Sequence, residues 1–201
     1  MRKLSYEELC QQRLTIEQSR QAVRHPITIV LDNIRSLYNV GSIFRTADAI
    51  RAQEVILCGY TPAPPRPEIE KTALGATESV PWRYVRSCKE AIQSLRSAGI
   101  RIFAVELTDT AFPYDGLTTA DFPAAFVFGN EIVGIQPEVL QVCDAALAIP
   151  MYGVKHSLNV AVAAGIVLYE ALRCYRQGQW SESPEATTAS TNDALPTGCS
   201  R

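Results

Sequence analysis

The stretch IPMYGVKHSLNVAVAAGIVLYEALR, residues 149–173, decides the fold of this 201-residue chain. A short apolar strand leads into a turn at Gly153, and Ser157 and Asn159 open a helix that is expected to continue to about Tyr175. Apolar side chains cover almost the whole circumference of this helix, and such a helix is buried on more than one side. One side would face the sheet of its own chain and another a second subunit. A polar, glycine-containing loop at the mouth of a buried helix is a favourable place for a ligand site.

Length, charge and cysteine usage limit the class of protein. The chain is long enough for one domain with a sizeable core, and its net charge of -2 argues against a polybasic nucleic-acid binder but allows a local basic patch. The six cysteines contain no C-x-x-C pair and only two histidines are present, so we expect no metal site, and reduced thiols in the cytoplasm. No apolar signal follows Met1, and the apolar run 158–172 is too short to span a bilayer, so no membrane partner is expected.

Strands and helices alternate along the chain. Ser5 and Glu8 match a capping box for a helix to about residue 22, within a basic N-terminal extension (1–26) whose charged face is either solvated or in contact with RNA. Strands are expected at 27–31, 54–58, 82–85, 101–107, 124–128 and 145–149, and helices at 41–50, 88–98, 137–142 and 158–175. This pattern predicts an α/β fold, with a mainly parallel sheet flanked by helices, over residues 27–177. Residues 178–201 have few apolar side chains and are expected to be a disordered tail.

Two polar clusters follow predicted strands, where the loops of a parallel sheet gather on one edge. In residues 39–47, Asn39 fits a helix cap, and Arg45 either pairs with a surface carboxylate or directs its guanidinium at a phosphate or a reacting oxygen. In residues 128–134, Gly129 allows close backbone approach to a ligand, and Glu131 either caps a helix or takes part in chemistry.

The third polar cluster is the opening stretch itself. Ser157 is either the N-cap of the last helix or part of the site. A serine hydrolase is disfavoured because the neighbouring His156 cannot converge on Ser157 and no G-x-S-x-G elbow is present. No G-x-G-x-x-G follows the first strand, and no P-loop is present.

Together the three clusters resemble the SpoU (TrmH-like) family of RNA 2′-O-ribose methyltransferases, within the SPOUT superfamily. The matching stretches are NVGSIFRTADA (39–49), FGNEIVGI (128–135) and IPMYGVKHSLNVAVAAG (149–165), and KTALGA (71–76) is similar to a lesser signature of the family. The resemblance covers roughly residues 27–175. The chain departs from the family pattern at Ile132, where many members have glycine. This difference should alter the backbone freedom of the loop more than its chemistry.

The resemblance implies a fold, a cofactor and an assembly. The SPOUT fold carries a C-terminal deep trefoil knot, its loops bind S-adenosyl-L-methionine, and the protein is a homodimer with its sites near the interface. By motif position, the catalytic residues carried over are Asn39, Arg45, Glu131, Ser157 and Asn159. The cofactor contacts carried over are Gly129, Ile149 and Leu158, with Leu107 and Met151 as further candidates for the adenosine wall.

The reaction that the resemblance implies is attack of a ribose 2′-oxygen on the sulfonium methyl group. Family accounts assign Arg45 to activation of the hydroxyl, but a guanidinium stays protonated, so we expect Arg45 to hold the adjacent phosphate and stabilise the developing oxyanion. Glu131 and Asn39 would orient the guanidinium, and Ser157 and Asn159 would shape the pocket.

The substrate class follows from the implied reaction. The 2′-hydroxyl distinguishes RNA from DNA, so we expect a structured RNA, with tRNA ahead of ribosomal RNA. Two alternatives remain open at this point. One is a non-catalytic RNA-binding dimer of the same fold, and the other is a SPOUT enzyme that methylates a base.

Overall fold

A seven-stranded sheet forms the centre of the computed structural model, which describes residues 1–11 and 13–181. The strands are β1 (His25–Asp32), β2 (Ala52–Cys58), β3 (Trp82–Val85), β4 (Arg101–Val105), β5 (Phe112–Pro113), β6 (Ala124–Phe128) and β7 (Ala145–Ala148). Their order across the sheet is β3-β2-β1-β6-β4-β7-β5, and all neighbouring pairs run parallel. The predicted α/β fold with a parallel sheet is therefore confirmed.

Helices cover both faces of this sheet. They are α1 (Tyr6–Gln11), α2 (Ile16–Gln21), α3 (Leu37–Ala49), α4 (Pro67–Ala73), α5 (Ala76–Ser79), α6 (Cys88–Ser97), α7 (Pro137–Leu140) and α8 (Val160–Ser181), with two short 3-10 helices at Tyr114–Gly116 and Thr119–Asp121. Alternate side chains of β1 enter two apolar layers. Ile29 and Leu31 pack in the layer that contains α3 and α8, and Val30 packs in the layer that contains α6. No helix in the described ranges has the length and apolar character needed to cross a membrane.

The N-terminal extension differs from its prediction. Ser5 and Glu8 do form the expected capping box, with the Glu8 N–H donating to Ser5 Oγ (3.3 Å) and the Ser5 N–H to Glu8 Oε2 (2.7 Å). The single helix expected to run to residue 22 is wrong, however, because the chain forms α1 and α2 separately. Thr15 and Gln18 build a second capping box, which starts a new helix at Ile16.

Two element boundaries also differ for local reasons. Helix α3 begins at Leu37 rather than near residue 41, because Ser36 Oγ accepts the Asn39 N–H (3.3 Å) and caps the additional turn. Strand β4 ends at Val105 rather than residue 107, where the Glu106 carboxylate accepts the Leu107 N–H (3.0 Å).

Helix α8 packs with one side in the core and leaves the other uncovered. Ala164, Val167 and Leu168 are fully buried, whereas Val162 and Tyr169 are 51% and 53% exposed. The helix continues to Ser181, so the boundary expected at residue 177 falls inside it, and residues 182–201 of the expected tail lie outside the described residues. The trefoil knot stays a prediction.

Candidate functional site

A cavity of about 670 Å³ opens at the carboxyl ends of β6, β4 and β7. Its volume lies in the range of small-molecule sites. Three loop regions line it, drawn from residues 105–107, 128–135 and 147–160. Eight residues that the sequence singled out are among the lining, namely Leu107, Gly129, Glu131, Ile149, Met151, Ser157, Leu158 and Asn159.

The Glu131 carboxylate ties the loop after β6 to the start of α3. Its Oε2 accepts the Arg35 N–H (2.8 Å), and its Oε1 accepts the Ser36 N–H (3.0 Å) and Asn39 Nδ2 (2.9 Å). Partial burial alone would raise the pKa of Glu131, but these hydrogen bonds outweigh it and hold the pKa below its ordinary value. The several N–H donors that a carboxylate here requires are thus supplied by the backbone and by Asn39.

Asn159 joins the third motif to the other two. Its Nδ2 donates to Asn39 Oδ1 (3.1 Å), so a chain of side-chain hydrogen bonds runs from Glu131 through Asn39 to Asn159. Its Oδ1 accepts the Ala161 N–H (2.9 Å), which makes Asn159 rather than Ser157 the N-cap of α8. Ser157 is exposed at the cavity wall, and it makes no side-chain hydrogen bond with any described residue.

Arg45 does not reach this cavity in its own chain. It lies on the outward, exposed side of α3, six residues and about 9 Å of helix axis from Asn39. Its side chain makes no hydrogen bond or ion pair within the part of the chain that the structure describes. The expected contact that orients its guanidinium through Glu131 is therefore not formed within one chain, where the carboxylate instead accepts two backbone N–H groups and Asn39.

Glu106 is a lining residue that the sequence analysis missed. It follows β4 directly, and its Oε2 accepts the Ile135 N–H (3.1 Å), which braces the loop after β6. Gly134 has φ +67°, and a Cβ on it would lie 2.3 Å from Glu106 Oε2. The signal that points to Glu106 is a carboxylate at the end of a buried strand on the same sheet edge as the motifs.

Asn130 is the second residue that the analysis missed. Its Oδ1 accepts the N–H groups of Ile132 (2.9 Å) and Val133 (3.0 Å), and it therefore closes the turn of the loop. Its Nδ2 donates to the Asn33 carbonyl (2.8 Å) and to the Tyr60 hydroxyl (2.6 Å). Ile132, the departure from the family pattern, is 72% exposed, and its side chain is not needed to hold the turn.

A parallel α/β sheet with loops that converge on one cavity defines the structural class, and solved structures agree. The A. aeolicus TrmH/SpoU tRNA modifying enzyme is 27% identical over 82% of this chain and 84% of that chain, with a TM-score of 0.72. The AdoMet-bound rRNA methyltransferase from Sinorhizobium meliloti is 31% identical over 77% of this chain and 59% of that chain, with a TM-score of 0.70. The fold is thus that of the SPOUT methyltransferases.

The family follows from the sequence comparisons. The model of the SpoU rRNA Methylase family matches residues 26–169, and the chain belongs to this family, as the motifs predicted. The 23S rRNA (guanosine-2'-O-)-methyltransferase RlmB of Neisseria meningitidis is 34% identical over 74% of this chain and 58% of that relative. The tRNA (guanosine(18)-2'-O)-methyltransferase of Thermus thermophilus is 32% identical over 80% of this chain and 81% of that relative. The chain therefore spans under two thirds of the first relative and most of the second. Both relatives are named as RNA 2′-O-methyltransferases, which is the class of enzyme that the sequence motifs predicted.

Proposed function

We propose that the protein transfers a methyl group from S-adenosyl-L-methionine to a ribose 2′-hydroxyl of a structured RNA. The observation that carries this proposal is the hydrogen-bonded chain Glu131–Asn39–Asn159, which joins one residue from each family motif at the edge of a cofactor-sized cavity. The names of the relatives support the ribose oxygen as acceptor, and the AdoMet-bound structure from Sinorhizobium meliloti supports the donor.

The cavity fits the cofactor in size and in chemistry. S-adenosyl-L-methionine supplies, when bound, an activated methyl group on a positively charged sulfur. Leu107, Ile149 and Leu158 give apolar walls for a nucleoside, and the carboxylates of Glu106 and Glu131 give the cavity the negative charge that suits a cation. Gly129 keeps its loop closed, because a Cβ there would lie 2.5 Å from the backbone of Gly134.

The residues that act on the RNA come from two chains in this proposal. Arg45 stands on the exposed side of α3, and α3 packs beside α8, whose uncovered side is apolar. A homodimer that buries this side brings Arg45 towards the cavity of the second subunit. There the protonated guanidinium binds the phosphate next to the target ribose and stabilises the charge that develops on the 2′-oxygen.

The proposed substrate is tRNA rather than ribosomal RNA, and the proposed compartment is the cytoplasm. Relatives with both substrates are similar to this chain, but the tRNA enzyme of Thermus thermophilus is matched over 81% of its length and the RlmB of Neisseria meningitidis over 58%. The extent of the match therefore favours a tRNA enzyme. DNA is excluded as substrate because it lacks the 2′-hydroxyl.

The test is methylation of unmodified RNA followed by analysis of the product. Purified protein is incubated with methyl-labelled S-adenosyl-L-methionine and transcripts of tRNA or 23S rRNA, and the RNA is then digested. Ribose methylation leaves a nuclease-resistant dinucleotide that carries the label, which is the expected result. Label in an ordinary nucleoside would instead identify a base methyltransferase, and RNA binding without label would identify a non-catalytic RNA-binding dimer.

Substitution of Arg45 tests the assignment of roles. Arg45→Ala should lower methyl transfer by at least about a hundredfold, which is the usual loss when a group that stabilises developing charge is removed. Its affinity for S-adenosyl-L-methionine, measured by calorimetry, should stay within about twofold of the wild type, because the proposed contacts of Arg45 are to the RNA and not to the cofactor. Parallel loss of cofactor binding and of transfer would reject the assignment.

A further inference from the structure

Tyr60 is an exposed aromatic side chain that is held at both ends. It follows β2 after one intervening residue and is 60% exposed. Its N–H donates to Asn33 Oδ1 (3.1 Å), and its hydroxyl accepts Asn130 Nδ2 (2.6 Å). The ring is therefore fixed in position while much of its surface faces solvent.

Tyr84 presents a second ring on the same edge of the sheet. It lies near the end of β3, is 51% exposed, and its hydroxyl donates to the Gly59 carbonyl (2.8 Å). Gly59 immediately precedes Tyr60 and has φ +62°, and a Cβ there would lie 2.0 Å from Asn33 Oδ1. The backbone at Gly59, which contacts both tyrosines, is consequently held by close contacts rather than free to move.

The two rings lie next to the proposed active site, on the side away from the cofactor cavity. Asn130, which holds the Tyr60 hydroxyl, directly precedes Glu131. The cavity lies at the ends of β6, β4 and β7, whereas the tyrosines lie at the ends of β2 and β3, beyond β1 in the strand order. An RNA chain whose ribose is at Glu131 therefore continues over the tyrosines if it runs along this edge.

Two arginines on the same edge supply positive charge. Arg35 and Arg86 come shortly after the ends of β1 and β3, and both are exposed. Neither side chain makes a hydrogen bond or ion pair with another residue in the described ranges, so both guanidinium groups are available. Arg35 is also tied to the site through its backbone N–H, which donates to Glu131 Oε2 (2.8 Å).

We propose that Tyr60 and Tyr84, together with Arg35 and Arg86, form a subsite that binds unpaired nucleotides flanking the methylated one. Bases stack on the two rings and phosphates pair with the two guanidinium groups, a combination that suits single-stranded RNA. Rings that are already fixed lose little conformational entropy when a base stacks on them. The choice of RNA as ligand rests on the proposed function, and it places the methylated nucleotide in a loop or bulge rather than a duplex.

The test compares two substitutions that lose the same hydroxyl. Tyr60→Phe and Tyr60→Leu both remove the hydrogen bond to Asn130, but only Tyr60→Phe keeps the ring. Binding of unmodified tRNA transcripts by full-length protein should be about tenfold weaker for Tyr60→Leu than for Tyr60→Phe. Equal affinities would show that the hydroxyl only braces Asn130, and this result would overturn the stacking role. Affinity for S-adenosyl-L-methionine serves as the check that both variants are folded.

Salt dependence tests the arginines. Arg35→Gln and Arg86→Gln should each reduce the slope of log affinity against log salt concentration by about one, since each removes one phosphate contact. Arg51→Gln is the matched control, because Arg51 is also exposed but precedes β2 at the opposite end of the strands. A slope that changes equally in all three variants would contradict a local subsite.

Cross-linking separates this inference from the proposed function. Irradiated 4-thiouridine transcripts should cross-link to the peptides that contain Tyr60 or Tyr84. Ribose methylation with cross-links elsewhere would overturn the subsite and leave the proposed function intact. Cross-links at the tyrosines without methylation would support the RNA subsite and overturn the proposed methyl transfer. Absence of RNA binding by the wild type, or tyrosines covered by a second copy or a protein partner, would overturn the subsite.

Discussion

Asp32 is a buried carboxyl at the end of β1 with incomplete hydrogen bonding. It is 2% exposed, its Oδ1 accepts Asn33 Nδ2 (3.0 Å), and its Oδ2 has no hydrogen-bond partner among the residues that the structure describes. Burial raises the pKa of Asp32, and the neighbouring Cys88 thiol opposes this only in part. A carboxyl with a raised pKa favours the folded state below its unfolded pKa, and this contribution is lost as the pH rises through the folded pKa.

Asp32→Asn should therefore stabilise the protein at neutral pH and not in acid. We expect a free energy of unfolding higher than the wild type by on the order of 1 kcal/mol at pH 7, because the substitution removes a buried charge with an unpaired atom. The difference should disappear below about pH 4, where the carboxyl is protonated in both states. Urea unfolding of both proteins between about pH 4 and pH 7 measures this difference in the free energy of unfolding. The exposed Asp109→Asn is the control, and an equal pH dependence in that variant would contradict the explanation.

Glu131 should show the opposite pH dependence. Its pKa is lowered in the folded state, so its hydrogen bonds stabilise the fold above about pH 4.3, the unfolded value, and this contribution is lost as the pH falls through the folded pKa. Glu131→Gln presents one acceptor oxygen instead of two to the N–H groups of Arg35 and Ser36. Its Tm should be a few degrees lower than that of the wild type at pH 7, and the gap should narrow towards pH 3.5. A gap that is constant with pH would show that charge is not involved.

At the scale of elements, the loop after β6 depends on glycine at position 134. Gly134→Ala combines a positive φ with a Cβ placed 2.3 Å from Glu106 Oε2, so either Glu106 or the loop must move. Loss of the hydrogen bond from Ile135 to Glu106 should follow, with about tenfold weaker binding of S-adenosyl-L-methionine. Calorimetry measures this.

Gly99→Ala is the matched control for the loop variant. Gly99 also has a positive φ (+78°), but nothing lies within 4 Å of a Cβ built on it, and it is absent from the cavity. It should lose about 1 kcal/mol of stability from backbone strain and keep its cofactor affinity. Weaker cofactor binding in Gly99→Ala as well would contradict the role of the Glu106 contact.

Six of the seven strands were predictable, whereas β5 and the connections between loops were not. An apolar run located β6 at its observed bounds, since burial on both faces leaves a continuous signal. The bounds of β3, which is only partly buried, were also located correctly. The first turn of α3 was missed although Ser36 caps it locally, and the Glu131 carboxylate that accepts the N–H groups just before it lies more than 90 residues away in the chain. Hydrogen bonds of that range leave no local pattern.

The residues of the candidate site also fall into those that the sequence predicted and those that it did not. Motifs indicated that Asn39, Glu131 and Asn159 lie together, and their side chains are in contact. Glu106 was missed because it accepts a backbone N–H of another loop, which any residue type supplies. Asn130 was missed because it joins its own turn to the Asn33 carbonyl and the Tyr60 hydroxyl, which lie far from it in the sequence. Arg45 could not be placed from one chain, because in the proposed function its surroundings depend on a second subunit.

At the scale of the molecule, α8 leaves an apolar stripe uncovered. Val162, Gly165, Tyr169 and Leu172 repeat at intervals of three and four residues, which places them along one line of the helix, and Leu158 lies four residues before Val162, just ahead of the helix. Leu158, Val162 and Tyr169 are 38%, 51% and 53% exposed, and a Cβ built on Gly165 meets no atom within 4 Å. Small and apolar side chains in such a line allow a second helix to approach closely, and we therefore expect a dimer.

Tyr169→Glu should convert this dimer to monomers, because a charge at the centre of an apolar contact is costly to bury. Sedimentation equilibrium of the full-length protein measures the assembly. Val23→Glu is the control, since Val23 is 86% exposed and precedes β1 rather than lying on α8. A Tyr169→Glu protein that remains dimeric would place the interface on another surface.

Mixing two inactive variants tests whether each site is built from two chains. In a dimer of Arg45→Ala with Glu131→Ala, one site combines the intact cavity of the first chain with the intact Arg45 of the second, and the other site lacks both groups. Random mixing makes half of the dimers heterodimers with one working site each, so activity should recover to roughly a quarter of the wild type in a two-fold dimer. If Arg45 serves its own chain, every site in the mixture is defective and no activity returns. The position of Arg45 outside its own cavity, with Glu131 already occupied by Asn39 and two backbone N–H groups, leads us to expect recovery.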